Sequence, residues 1–217
     1  PLKQPLIILA TADEETSMSG AKAIVEAGRP KARYAVIGEP TSMRPIYMHK
    51  GIMMQRVKVQ GRSGHSSNPD LGNSALDAMH EVMGELMSFR RDMQAAHQNP
   101  NFQVVVPTMN LGCIHGGDSP NRICGQCQLD FDLRPLPGMD GQLLKDAIDA
   151  RLQQVAQRLE IDIEMESLMS GIPPFQNNEN SEMVKLAEKL TGNTPGTVAF
   201  GTEGPFLQGM GMDTIVM

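Results

Sequence analysis

Three acidic side chains, Asp13, Glu14 and Glu15, follow the apolar run Leu6-Ile7-Ile8-Leu9-Ala10. A second apolar run, Tyr34-Ala35-Val36-Ile37-Gly38, ends in Glu39-Pro40-Thr41. Carboxylates at the ends of buried strands lose several kcal/mol of solvation unless a positive group meets them. Hard and borderline cations take oxygen ligands, so a metal ion is the natural compensation. Glu14 and Glu15 are adjacent and point different ways. One can hold the ion while the other takes a proton from a water. The bland alternative is an acidic start to the following helix, favoured by the helix dipole. Open α/β sheets bind ligands at the carboxyl edge of their strands, where both acidic groups would fall.

Four further places carry chemistry-bearing residues. His65 lies in Gly61-Arg62-Ser63-Gly64-His65-Ser66-Ser67, which reads as a flexible polar loop. There it is either a hydrogen-bond donor reaching into a site or a plain surface histidine. Arg134 closes a strand in Asp132-Leu133-Arg134-Pro135, and Asn121-Arg122 precede that strand. Guanidinium and amide groups suit a substrate carboxylate. An ion pair of Arg134 with Asp130 or Asp132 is the commoner fate of a single arginine. Cys124-Gly125-Gln126-Cys127 has C-x-x-C spacing, but residues three apart in a strand face opposite sides and would not share one zinc ion. Gly201-Thr202-Glu203-Gly204 is a glycine-flanked turn that could offer Thr202 to a ligand.

The elements that must position these residues follow from hydrophobic period and turn signals. Residues 5–12 and 33–38 read as strands. A helix from Ser17 to Ala27 lies between them, capped by Thr16 or Ser17 and closed by Gly28. That is a βαβ unit. Residues 52–60 alternate as a strand, and 73–94 carry apolar residues at spacings of three and four. Strands at 108–114 and 123–134, a helix at 141–159 and a strand at 161–168 follow. The order over 52–168 is therefore β-α-β-β-α-β, the ferredoxin-like arrangement. A helix at 182–190 and strands at 197–200 and 214–217 return to α/β character. We expect an α/β domain at 1–50 and 173–217, interrupted by a small two-layer domain at 51–172.

Composition narrows the class. The chain has 217 residues and a net charge of −6, which disfavours nucleic acid and anionic membrane as partners. No apolar run approaches the roughly 20 residues of a membrane helix. Three cysteines argue against a disulfide framework and fit a reducing cytoplasm. The 17 methionines are scattered and read as core filler. The first residue is not Met, and strand-like segments lie at both ends, so an excerpt of a longer protein is expected.

Several stretches together resemble one family: Thr11 to Ser17, Ile37 to Ser42, His49-Lys50-Gly51, Ser63 to Ser67, and above all Asn110 to Gly138. The likeness is to the zinc-dependent amidohydrolases that include acetylornithine deacetylases, desuccinylases, aminoacylases and glutamate carboxypeptidases, with the acetylornithine deacetylase branch nearest. The resemblance implies a zinc-peptidase-like α/β catalytic domain, incomplete here, carrying an inserted ferredoxin-like dimerisation and lid domain. It implies one or two zinc ions per complete subunit, with cobalt as a substitute. It implies a homodimer through 51–172 and a small N-acyl amino acid, most readily N-acetylornithine, as substrate. N-succinyl-diaminopimelate is the alternative, and a non-catalytic dimerisation module is the alternative of another class. Glu14 resembles the family's general base, and Glu15 and Glu39 its ligands to the two metals. His65 resembles the histidine that crosses to the partner's site. Asn121, Arg134 and Thr202 resemble its substrate-binding residues. The family's His-x-Asp motif, bridging Asp and late His have no counterpart in these residues. Hence we expect the 217-residue chain to be inactive and largely metal-free by itself.

Overall fold

The structure, a computed structural model, describes residues 3–217. Along the chain the elements are α1 (Ser19–Ala27), β1 (Tyr34–Ile37), β2 (Ile46–His49), β3 (Met53–Gln60), α2 (Ala75–Ala96), β4 (Thr108–Gly116), β5 (Gln126–Arg134), α3 (Gly141–Leu159), β6 (Asp162–Ser167), β7 (Phe175–Gln176), α4 (Glu182–Thr191), β8 (Gly196–Val198), α5 (Gly204–Gly209) and β9 (Asp213–Val216). They form two compact units, divided after Gly51 and again after Gly171.

The unit Ile52–Gly171 is a four-stranded antiparallel sheet in the order β4-β5-β3-β6, with α2 and α3 packed on it. The alternation in β3 decides its faces. Met53, Gln55, Val57 and Val59 are buried, while Met54, Lys58 and Gln60 are exposed. The helices answer with residues three or four apart. Ala78, Met79, Val82, Leu86, Phe89 and Met93 of α2 are buried, as are Ile148, Leu152 and Val155 of α3. Each fully buried large aliphatic side chain contributes about 1.5–3 kcal/mol relative to exposure. Side-chain caps start both helices. Ser74 Oγ accepts from the Asp77 N–H at 3.2 Å, and Asp140 Oδ1 accepts from the Gln142 and Leu143 N–H groups at 2.7 and 3.1 Å. On the other face Arg56 makes a bidentate pair with Asp130, both bonds 2.7 Å, which holds the Asp130 carboxyl below its ordinary range.

The other unit is built on a five-stranded mixed sheet. Its path runs β1-β9-β2-β7, and β8 pairs with β2. Phe175, Ile37, Ile46, Leu207, Met212 and Val216 form its core. The fully buried strand β2 is absent from the sequence reading, because Ile46-Tyr47-Met48-His49 has no alternation to betray it. The short helix α5 begins at Gly204, where only a turn was expected.

Two expectations here are corrected. Residues 5–12 form no strand. They pair with no strand, and Leu6, Ile7, Ile8 and Leu9 are exposed, Ile8 by 88%. A β-strand exists only by its partner's hydrogen bonds, and none of the described strands pairs with this run. The βαβ unit expected from it is therefore not formed. The following helix starts later than expected, and neither Thr16 nor Ser17 caps it. The main-chain N–H groups of Thr16, Ser17 and Met18 instead converge on the Asp13 carbonyl, and Met18 becomes the N-cap.

Candidate functional site

The first candidate lies in the unit containing β1. Glu14 sits half-buried in the turn closed on the Asp13 carbonyl, and Glu15 beside it is exposed. Glu39 follows β1. Its N–H donates to the Met217 carbonyl at 3.0 Å, and the Met217 N–H donates to the Ile37 carbonyl at 2.8 Å. The parallel pairing of β1 with β9 thus extends past both strands and places Glu39 at their carboxyl edge. Glu203 joins from the start of α5. Burial is the main cause that raises the pKa of Glu14, followed by the charges of Glu39, Glu15 and Glu203. Burial also raises that of Glu39, again helped by Glu15 and Glu203. Four glutamates from three segments therefore feel one another. Glu203 was missed in the sequence, although it stands inside the glycine-flanked tetrad. One of its oxygens, Oε1, is buried without a hydrogen-bond partner among the described residues.

Thr202 is anchored from beneath by His49, to which the sequence reading gave no role. His49, at the end of β2, is 0% exposed. Its Nε2 accepts from the Thr202 N–H at 3.2 Å. An N–H can only donate, so the proton of the neutral ring is on Nδ1, which donates to the Lys50 carbonyl at 2.8 Å. The ring also lies 5.3 Å from that of Phe175. Burial pushes the His49 pKa down to about 4. Thr202 is itself fully buried, and its hydroxyl accepts from the Gly204 N–H at 3.0 Å. The pair His49–Thr202 thus fixes the tetrad that carries Glu203.

The second candidate lies in the unit Ile52–Gly171. The loop holding His65 is not the flexible loop expected from its glycines and serines. The Ser66 N–H donates to the Asn121 carbonyl at 3.0 Å, and the Ile123 N–H donates to the Gly64 carbonyl at 2.8 Å. His65 bridges Arg122 between them. Gly64 permits the fold of this loop, because a Cβ there would come within 2.8 Å of Leu71 Cβ. His65 itself is exposed. His65 and Asn121 are therefore brought together. Arg134 is not with them. It ends β5, whereas Asn121 precedes its beginning, and a nine-residue strand is roughly 27 Å long. Arg134 Nε donates to Asp132 Oδ2 at 2.8 Å, the ion pair that the bland reading expects.

Cys124 lies before β5 rather than in it, and both Cys124 and Cys127 are buried. The opposite-face argument does not apply, since it assumed one strand for both. Cys124 Sγ donates to the Gln126 carbonyl at 3.0 Å, and burial raises the Cys127 thiol pKa. A groove of about 1130 Å³ runs beside them, lined by Lys58, Arg62, His115, Asp162 and Glu164 among others. Its lining mixes both signs of charge and includes none of the seven candidate site residues. Carboxylate oxygens suit zinc or cobalt, and a cation would relieve the mutual repulsion of the glutamates. Yet among the described residues no three His, Cys, Asp or Glu side chains are grouped to hold a metal ion. The glutamates fit part of a metal site and do not complete one.

Comparison with known proteins is consistent in its direction. Residues 47–160 match the family described as Peptidase dimerisation domain, of the M20 peptidases. The chain is 44% identical over 207 residues to an acetylornithine deacetylase of Photorhabdus laumondii, covering 95% of this chain and 54% of that protein. It is 44% identical over the same shares to an acetylornithine deacetylase of Pectobacterium carotovorum. The chain thus spans about half the length of the curated relatives it matches. The crystal structure of the aminopeptidase PepT from Bacillus cereus superposes with a TM-score of 0.70 at 19% identity, over 94% of this chain and 53% of that one. A tripeptidase from Staphylococcus aureus gives 0.65 at 17% identity, over 91% and 53%. At such identities the two structures speak for the fold alone.

Proposed function

Because the chain belongs to the Peptidase dimerisation domain family of the M20 peptidases, we propose that it is the central and C-terminal part of a metal-dependent amidohydrolase. The reaction is hydrolysis of the amide of an N-acyl amino acid, with N-acetylornithine as substrate and ornithine and acetate as products. The observation that carries this reading is that Glu39 follows β1 at its pairing with β9 and that Glu14 feels the charges of Glu39, Glu15 and Glu203. The names of the relatives at 44% identity support the choice of acyl group and amino acid. Residues 1–50 and 173–217 belong to the catalytic domain in this reading, and 51–172 to the lid and dimerisation domain.

Glu15 would hold one metal and Glu39 the other, with donors from outside these residues completing the shells. Zinc, or cobalt in its place, supplies Lewis-acid polarisation of the amide carbonyl and brings the pKa of a water toward about 7. Glu14 takes the proton of the attacking water and returns it to the leaving amine. His65 donates to the oxygen that becomes negative in the tetrahedral transition state. Asn121 and Arg134 bind the substrate's polar groups, and Thr202 holds the turn that flanks it. His65 and Asn121 lie at one end of β5 and Arg134 at the other. A homodimer in which His65 and Asn121 serve the partner's site accommodates that separation. The edge strand β4 suits self-pairing, since Thr108–Gly116 carries no Asp, Glu, Lys or Arg. The opposite edge, β6, exposes Asp162, Glu164 and Glu166.

No helix among the described residues is long and apolar enough to cross a membrane. A cytoplasmic location, without nucleic acid or membrane as partner, belongs to the same proposal. The test is the complete reading frame that contains this chain, assayed with zinc against N-acetylornithine and N-succinyl-diaminopimelate. We expect N-acetylornithine to be preferred and Glu14→Gln to lower kcat by at least about 100-fold, the low end for a general base. Preference for the succinyl substrate would move the assignment to a desuccinylase. Full activity of the Glu14→Gln enzyme would overturn the mechanism. The 217-residue chain by itself should neither retain stoichiometric zinc on dialysis nor turn over substrate.

A further inference from the structure

We infer that Ser67 is a positioning residue that holds His65 in the tautomer with its proton on Nε2. The inference rests on the donor role given to His65 above and states what makes that role possible. Two groups of Ser67 meet one ring nitrogen. The Ser67 main-chain N–H lies 3.2 Å from His65 Nδ1, and the Ser67 hydroxyl oxygen lies 2.7 Å from it. A main-chain N–H can only donate, so Nδ1 must present its lone pair. The hydroxyl then donates to the same lone pair. A neutral imidazole carries a single N–H, which is therefore on Nε2.

The rest of the loop gives that choice of tautomer a direction. Gly64 and Ser66, on either side of His65, are each tied by main-chain bonds to 121–123. The main chain of His65 is thus fixed, and Ser67 fixes the ring upon it. Among the described residues Nε2 has no hydrogen-bond partner, so its proton is free to meet an incoming group. A ring so held is a hydrogen-bond donor and not a base. That matches a role at an oxygen gaining negative charge, where preorganised donors act most strongly. A mobile ring would divide its time between two tautomers and several orientations, and loss of orientation is costly in rate.

The test is a long-range 1H–15N correlation on the 217-residue chain labelled with 15N-histidine. It is recorded well above the imidazole titration, with the His65 signals assigned from a His65→Gln variant. We expect a single tautomer pattern for His65, Nε2 protonated and Nδ1 bare. In Ser67→Pro, which removes the main-chain N–H and the hydroxyl together, that pattern should shift toward the averaged signals of free imidazole, whereas Ser67→Ala, which keeps the N–H, should shift it only part of the way and Ser67→Thr should restore it. A wild-type His65 protonated on Nδ1, or already averaged, would overturn the inference. So would a Ser67→Pro chain with the wild-type pattern. Failure of the functional reading is visible separately: a complete enzyme with His65→Gln and undiminished kcat would remove the donor role and leave the tautomer result standing.

Discussion

The two units solve the same problem of burying apolar surface with different success. In the unit Ile52–Gly171 every strand has its partners, the two helices cover one face, and ion pairs such as Arg56–Asp130 tie the other. In the unit around β1, Leu6 to Leu9 stand exposed and Val36 on the edge strand β1 is 56% exposed. Burial and the charges of neighbouring glutamates raise the pKa of Glu14 and of Glu39. The first unit also leaves apolar side chains outside, Leu143 by 69% and Leu71 by 52%, but its paired charges satisfy one another. The second gathers carboxylates whose burial and mutual charge cost stability. The contrast is between a unit whose polar groups pair with one another and a unit whose carboxylates are set against one another.

The largest expected effect lies in the core of the first unit. Leu133, 0% exposed, should cost about 2–5 kcal/mol when replaced by alanine, measured by urea unfolding of the Ile52–Gly171 transition. A loss under about 1 kcal/mol would show that this core is not tightly packed.

A somewhat smaller effect should appear in the other unit on acidification. The folded-state pKa of His49, about 4, lies below its ordinary 6.5. The unfolded chain therefore binds this proton first. His49 costs nothing above about pH 6.5, and the unit loses stability as pH falls from there toward 4. The most that can be lost is about 3 kcal/mol, from some 2.5 pK units at 1.36 kcal/mol each. Thermal unfolding of His49→Gln should show a weaker dependence over that window. An unchanged slope would refute the burial argument.

Smaller again is the effect of relieving the glutamate cluster. Glu203→Gln removes one repelling charge, so Glu14 should titrate at lower pH, followed by NMR of its carboxyl carbon. Stability should change by less than about 1 kcal/mol, in the stabilising direction. An unmoved Glu14 titration would separate Glu203 from the site. The least effect is expected for Ile8→Ser, within about 0.5 kcal/mol, because Ile8 is 88% exposed. A loss above 1 kcal/mol would mean that the apolar run is packed after all.

Much of this protein was legible in its residues alone. The alternation of β3 and β6 and the three-and-four spacing of α2 and α3 reveal the β-α-β-β-α-β order, because those elements each bury one face and their patterns are local. Glu14, Glu15 and Glu39 were found because acidic groups after apolar runs are costly and therefore conspicuous. What escaped was what depends on a neighbour distant in sequence. Residues 5–12 have the composition of a strand but no partner, and pairing is not a property of one segment. Strand β2 is buried on all sides, so nothing alternates in it. His49 holds Thr202 across a separation of 153 residues, and Glu203 joins the glutamates only through the packing of α5. His65 looked mobile because its neighbours are Gly and Ser, yet residues 121–123 bind its loop. Period and composition follow from local backbone geometry, so the sequence by itself determined the elements and the kinds of chemistry. Hydrogen bonds and charge coupling act through space, so only the tertiary structure decided which of those groups meet.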